Sequence, residues 1–290
     1  MSAANEVSLS RFAWILARAL RFLGKVWASW ITGLVPQTAS VQPLIDRVLH
    51  LNEVLSYFIP SLTHVLSQKV LEGDYFVFRP FTDDADKVSE VYEPIVRQML
   101  SPCLSEVVVD IGANIGVHTV WLSRKVGPSG VVLAVEPERT NFTILNLNTR
   151  INNLSNVIPI MLALGADSGR AQLLVPRPSV MGQVTTIPSS TLSKPSVVTV
   201  DCETLDDVIS AFGISQVSAI KIDVEGAELG VIQGAEQTIM KFRPRLVIEA
   251  HGLVNLSSLE LRLKAMGMTI SSNVKASSRP NETRWFVFAG

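Results

Sequence analysis

The chain has 290 residues, 47% of them hydrophobic and 18% charged, which is the composition of a globular protein rather than a disordered one. A formal net charge of -1 gives no bulk attraction to polyanions, so no nucleic-acid partner is expected. Cys103 and Cys202 form no CxxC pair and the four histidines follow no zinc spacing, so the cysteines read as reduced thiols of a cytoplasmic protein.

Residues 9–34 carry Arg11, Arg18, Arg21 and Lys25, which fall within about one quadrant of a helix at ~100° per residue. Phe12, Leu16, Leu20, Leu23, Trp27, Trp30 and Ile31 fall opposite them, and Pro36 ends the pattern. Arg18, Arg21 and Lys25 argue against a membrane span, at about 2.5–3.5 kcal/mol each in mid-bilayer. The interrupted apolar stretch also argues against a signal peptide. Tryptophans opposite a basic face suit a helix lying on an anionic membrane surface, which would place the protein peripherally on the inner face of the membrane. Packing of the same face on the protein itself is the alternative.

Residues 1–40 are therefore expected to be a separate amphipathic segment. Residues 41–85 form an extension, with a helical pattern between Pro43 and Pro60 and a short alternating strand over 74–81. The main domain is expected over 86–290, opening with a helix over 86–100 in which Pro94 marks a kink or the true start.

From Val107 onward strands and helices alternate. Strands are expected at 107–112, 131–137, 156–165, 217–226 and 245–251, with helices at 115–126, 138–152, 204–212 and 227–242. Apolar strands between amphipathic helices predict a parallel sheet covered on both faces. MTISSN and WFVFAG add a terminal pair that includes an antiparallel strand, making seven. AQLLV and SVVTV are expected to pair across an inserted Ser/Thr/Pro-rich loop, 176–195.

Chemistry is expected where strands end. In VVVDIGANIG, Gly112 allows a tight turn, Asn114 tolerates left-handed backbone, and Gly116 lets the next helix pack close to the sheet. The helix start beside this turn offers N–H groups to a ligand. The spacing lacks the G-x-G-x-x-G of dinucleotide sites, and Asp110 would repel a pyrophosphate. An acid there suits S-adenosylmethionine, which carries an ammonium and a sulfonium and no phosphate. Glu136, before Pro137, can accept ribose hydroxyls; its structural alternative is to complement the next helix dipole. Leu164 is expected to face the adenine.

IKIDVEGAE places Lys221, Asp223, Glu225 and Glu228 together at the fourth strand's end. Strand alternation puts Lys221, Asp223 and Glu225 on one side, with Asp223 toward the crevice. Glu228 reads equally as a helix-start acid. Glu249 and His251 end the fifth strand, and His251 is the imidazole best placed for base work, a loop histidine being the alternative.

DIGANIG, the acid of VEPE, TLDDVI (204–209) and above all KIDVEGAE resemble the FkbM family of S-adenosylmethionine-dependent methyltransferases, from roughly Glu90 to the C-terminus. The resemblance implies a class I methyltransferase (Rossmann-like) α/β fold with a seven-stranded, mostly parallel sheet. It implies methyl transfer to a hydroxyl of a sugar, glycolipid or polyketide-like acceptor. Carried over by motif, Asp110, Gly112, Asn114, Gly116 and Glu136 would hold the cofactor, with Asp223, Glu225 and Glu228 at the cofactor–substrate junction; the reading of the strand ends adds Ala113, Pro137 and Leu164 to the cofactor side. From the strand ends themselves, Asp223, Glu225 and His251 are expected to be catalytic, and Lys221, Glu228 and Glu249 to support the site. Thr204–Asp207 also reads locally as a helix cap. A divalent metal on Asp223, Glu225 and Glu249 is an open alternative to a protein base. A nicotinamide-dependent dehydrogenase and a non-catalytic membrane-associated adaptor are the rival functions.

Overall fold

The structure is a computed structural model, and it describes residues 65–68, 74–79, 84–88, 92–175, 196–276 and 284–290. The expected amphipathic helix over 9–34, the helix over 43–60 and the loop 176–195 lie outside the described residues. No helix among those described is long and apolar enough to cross a membrane.

The described residues up to Tyr92 belong to one compact unit, and those from Glu93 onward to a second. In the first, β1 (Val65–Gln68) and β2 (Tyr75–Phe78) form an antiparallel pair, followed by a single helical turn, α1 (Asp84–Lys87). The buried Asp84 accepts from the Arg79 backbone N–H at 3.0 Å and from its Nε at 2.7 Å. One carboxylate thus closes the chain between strand and helix.

The second unit opens with α2 (Pro94–Leu100). Pro94 is its true start, as a residue that lacks the N–H a first turn cannot use. The chain then runs β3 (Val107–Ile111), α3 (Val117–Val126), β4 (Val131–Val135), α4 (Arg139–Ile151) and β5 (Val157–Ile160). A side sheet follows from β6 (Ala163–Leu164), β7 (Gly169–Val175) and β8 (Ser196–Glu203). The core resumes with α5 (Leu205–Ala211), β9 (Ala219–Ile222), α6 (Glu228–Gln233), α7 (Glu236–Phe242), β10 (Arg245–His251), α8 (Leu253–Ala265), β11 (Ile270–Ala276) and β12 (Arg284–Ala289). The main sheet has seven strands in the order β11-β12-β10-β9-β3-β4-β5. Its β10-β9-β3-β4-β5 run is parallel, and β12 is antiparallel to both neighbours. This is the seven-stranded class I arrangement expected from the sequence.

Alternation along the strands divides the core. Val109, Leu133, Ile220 and Ile248 pack with Leu205, Val231, Ile239 and Leu259 of the later helices. Val108, Val132, Ala219 and Val247 face the other way, onto Leu100, Trp121 and Leu122. Each fully buried aliphatic side chain contributes about 1.5–3 kcal/mol. Asp110, Lys221 and Glu249 follow the second set in phase, two residues beyond Val108, Ala219 and Val247. The same phase therefore carries all three toward the strand ends on one face.

Three expectations are corrected. The strand over 156–165 is two: β5 ends at Ile160 and β6 pairs with β8 in the side sheet. The helix over 227–242 is broken, because the Asp206 carboxylate takes the Gln237 and Thr238 N–H groups at 3.0 and 2.8 Å and starts α7 afresh. The fourth strand stops at Ile222, so strand alternation does not govern Glu225; that residue sits at φ 55°, in the left-handed region.

Candidate functional site

The turn after β3 is locked by its own amides. Gly112 and Ala113 both donate to the Val135 carbonyl at 3.0 Å, and Asn114 donates to Glu136 Oε2 at 2.8 Å. Ile115 N–H donates to the Asn114 side chain at 2.8 Å, and Gly116 N–H to the Ala113 carbonyl at 2.9 Å. The N–H groups from Gly112 to Gly116 are all spent within the protein, so the turn itself offers a ligand no free donor. Gly112 lies at φ 74°, and a Cβ there would stand 1.8 Å from the Asp223 carbonyl oxygen. Only glycine lets the first and fourth strand ends approach so closely. Asn114 is left-handed at φ 52°, as its type permits. Gly116 (φ 90°) packs under Leu145 of α4, so its closeness is to a helix and not, as expected, to the sheet.

Asp110 lies beneath this turn and is fully buried. Thr119 Oγ1 donates to its Oδ2 at 2.6 Å, and Lys221 Nζ stands 3.3 Å from Oδ1. The pair follows from the register, which sets Asp110 beside Lys221 on adjacent parallel strands. Lys221 also donates to the Gly112 carbonyl at 3.3 Å and reaches Asp223 Oδ2 at 3.6 Å. Burial works against its ammonium, but Asp110, then Asp223, Glu93 and Glu249, outweigh it and raise its pKa above the ordinary lysine value. In this arrangement Asp110 holds the turn and the lysine, and Asp223 is the acid with exposed surface beside them.

Glu136 is buried at the end of β4. Besides Asn114 it accepts from the Glu138 N–H at 2.9 Å and from Asn141 Nδ2 at 3.4 Å. Burial pushes its carboxyl up to about 7, partly offset by those donors. A carboxylate has about four lone-pair sites, so room remains for a ribose hydroxyl. Its structural alternative falls to Glu138, which caps α4 by accepting from Asn141 N–H at 2.7 Å. Pro137 spaces the two acids. Leu164 is buried in β6 of the side sheet and so does not end the third main strand, as its assignment to the adenine required.

The opposite wall comes from β9 and β10. His251 Nδ1 and Glu228 Oε1 are 2.7 Å apart, and Glu228 is fully buried at the start of α6, where it also accepts the Gly226 N–H at 2.8 Å. Glu228 therefore both supports a helix start and orients the imidazole. His251 Nε2 stands 3.2 Å from Glu225 and 3.7 Å from Glu249, while Asp223, Glu249 and His251 bring one ligand atom each within 4.8 Å of one another. Burial disfavours the imidazolium, but the Glu228 hydrogen bond and the charges of Glu225 and Asp223 raise its pKa to about 10. An imidazolium accepts no proton. This arrangement therefore favours the neighbouring carboxylates over His251 as proton acceptors.

Sequence patterns bring Asp110, Glu136, Lys221, Asp223, Glu225, Glu228, Glu249 and His251 to one end of one sheet. They do not reveal Thr119 under Asp110, nor Asn148, whose Nδ2 donates to the Ile115 carbonyl at 2.7 Å and pins the turn. They also miss Glu93, left-handed at φ 42°, which meets His118 Nε2 at 2.9 Å. A polar residue on an otherwise buried helix face is the one signal that points to Thr119, His118 and Asn148. The TLDD segment is architectural here: Thr204 caps α5 by accepting from Asp207 N–H at 3.0 Å, and Asp206 caps α7.

The donor set fits S-adenosylmethionine. The turn spends its amides internally, leaving none of those five for a phosphate, and the acids gathered at the ends of β9 and β10 suit a cationic ligand. Comparison with known proteins agrees. The methyltransferase FkbM domain model matches residues 110–266. A methyltransferase, sdnD, of Sordaria araneosa is 28% identical over 170 residues, 49% of this chain and 65% of that protein. The hexuronic acid methyltransferase AglP of Haloferax volcanii is 26% identical over 231 residues, 79% of this chain and 81% of its own length. The chain thus spans less than two thirds of the first relative. A methyltransferase FkbM of Methylobacillus flagellatus has a crystal structure that superposes with a TM-score of 0.46 at 24% identity, covering 63% of this chain and 43% of that one. On the match of its strand ends, from Asp110 through the side sheet to α8, this chain belongs to the FkbM methyltransferase domain family.

Proposed function

We propose that the protein is an S-adenosylmethionine-dependent O-methyltransferase acting on a hydroxyl of a sugar, glycolipid or polyketide-like small molecule. The observation that carries the cofactor is the group of acids at the strand ends beside a turn whose amides are already bonded. The same observation counts against a nicotinamide dehydrogenase, whose pyrophosphate needs those amides. The hydroxyl acceptor is supported by the carboxylates of Asp223 and Glu225 beside the crevice and by the hexuronic acid methyltransferase among the relatives.

When bound, S-adenosylmethionine supplies an activated methyl on a sulfonium. The chain's part is to hold and orient. Glu136 takes ribose hydroxyls, and Asp223 faces the cationic end. An alcohol is a poor nucleophile while protonated, so a carboxylate at the Asp223–Glu225 edge takes its proton as the new C–O bond forms. A positioned base contributes about 10²–10⁴-fold to such a step.

The test is uptake of labelled methyl by cell glycan, lipid and small-molecule fractions. Asp223→Ala should bind the cofactor and lose transfer by about 10²-fold or more. Full activity in that variant removes Asp223 from the reaction. Absence of cofactor binding in the parent removes the function.

A further inference from the structure

We propose that Asp223, Glu249 and His251 form a divalent-cation site at the acceptor side of the crevice, with Glu228 as the carboxylate that orients the histidine. The inference rests on the methyl-transfer reading and says how the acceptor is activated.

The geometry is that of a ligand set, not of a cluster of acids alone. One ligand atom each from Asp223, Glu249 and His251 lies within 4.8 Å of the others, and His251 Nε2 to Glu249 Oε1 is 3.7 Å. Metal–nitrogen and metal–oxygen bonds of about 2.0–2.2 Å set ligand atoms roughly 3–4 Å apart, so a contraction of less than about 1 Å closes the set. Glu249 is almost wholly buried, and Asp223 and His251 partly so.

An independent observation concerns the other ring nitrogen. A metal-bound histidine characteristically gives its second N–H to a carboxylate, which fixes the tautomer and the ring plane. Here Nδ1 is 2.7 Å from the fully buried Glu228, itself anchored by the Gly226 N–H. That leaves Nε2 as the ligating atom, its proton being released to solvent as the cation binds. It is buried, makes no hydrogen bond of good geometry, and points at the Glu225 and Glu249 carboxylates.

One imidazole with two carboxylates is a borderline-to-hard donor set that suits Mn²⁺ or Zn²⁺ and leaves positions open for an oxygen ligand. This set differs from the one the sequence suggests: His251 replaces Glu225.

The cation would take the acceptor oxygen as a ligand and lower its pKa. The hydroxyl proton passes to Glu225, which lies 3.2 Å from His251 and outside the ligand set. The oxygen's electron pair forms the new C–O bond, the C–S bond breaks, and its pair stays on sulfur as the neutral thioether.

The probe is Mn²⁺, followed by loss of the free-ion electron paramagnetic resonance signal in the full chain, with Co²⁺ absorbance as a second readout. One ion per chain should bind, with cofactor present. His251→Ala and Glu249→Gln should each abolish uptake while cofactor affinity stays within about twofold, and Asp223→Asn should abolish uptake as well. Glu228→Gln should weaken uptake by about 10–100-fold, and Glu260→Gln, on α8, should change nothing. No uptake, or uptake indifferent to His251→Ala, overturns the site. So does full methyl transfer in EDTA, an outcome that leaves the methyltransferase reading intact. Metal uptake without cofactor binding overturns that reading and spares the site.

Discussion

The turn after β3 and the loop after β9 end neighbouring strands, yet they handle charge in opposite ways. Around the turn each polar group is answered nearby: Asp110 by Thr119 and Lys221, Glu136 by Asn114, Glu138 and Asn141. Around the loop, Glu225, Glu228 and Glu249 converge on the imidazole of His251, and Glu225 is held in left-handed backbone. A wall whose partners are complete can be rigid before any ligand arrives. A wall of converging carboxylates is suited to take cations, and that is the division expected of a site that first holds a cofactor and then activates an acceptor.

Lys221 is the one residue that belongs to both walls, so removing it is the strongest way to break the comparison. Lys221→Met leaves Asp110 buried without its charge partner and should destabilise the fold by about 3–5 kcal/mol, measured by urea unfolding. Adding Asp110→Asn should restore most of the loss, because a neutral amide still accepts from Thr119. A loss under about 1 kcal/mol would show that the turn does not depend on the lysine.

The contrast also explains what could be read in advance. Asp110 and Lys221 were legible because strand ends in an open α/β sheet are where ligands bind, and a charge at the end of an apolar run stands out. Asp223 was legible for the same reason. Glu225 was found by motif but placed for the wrong cause, since the strand stops at Ile222 and the left-handed residue, not alternation, aims it. The strand boundary before Leu164 was missed because a two-residue strand in the side sheet is too short to leave a periodicity. Thr119 and Asn148 lie on helices, where a threonine or asparagine has many uses and only the fold tells which carbonyl or carboxylate it meets.

A smaller effect sharpens the cofactor wall. The carboxyl of Glu136 is raised to about 7 by burial. Because that value lies above the ordinary one, protonation of Glu136 favours the fold at low pH, and this contribution is lost as the pH rises through about 7. Cofactor binding has the reverse sign, since ribose hydroxyls donate to the ionised group. Affinity for S-adenosylmethionine should therefore rise up to tenfold per pH unit below about 7 and level off above it. Glu136→Gln should flatten that profile in isothermal titration, and subtracting the two removes the titration of every other group. A profile unchanged by the substitution would take Glu136 out of the ribose contact.

The smallest expected effect separates architecture from chemistry. Thr204 accepts from the Asp207 N–H at 3.0 Å and donates to its carboxylate at 2.7 Å, while Asp206 starts α7. Both acids of TLDD are thus committed to helix ends, in contrast with the acids of the β9 loop. Thr204→Ala should cost about 1 kcal/mol of stability. At a temperature where both proteins stay folded, kcat and KM for the cofactor should match the parent's. A fall in kcat at unchanged stability would mean that the segment reaches the crevice, and the line between the two walls would have to be redrawn to include α5.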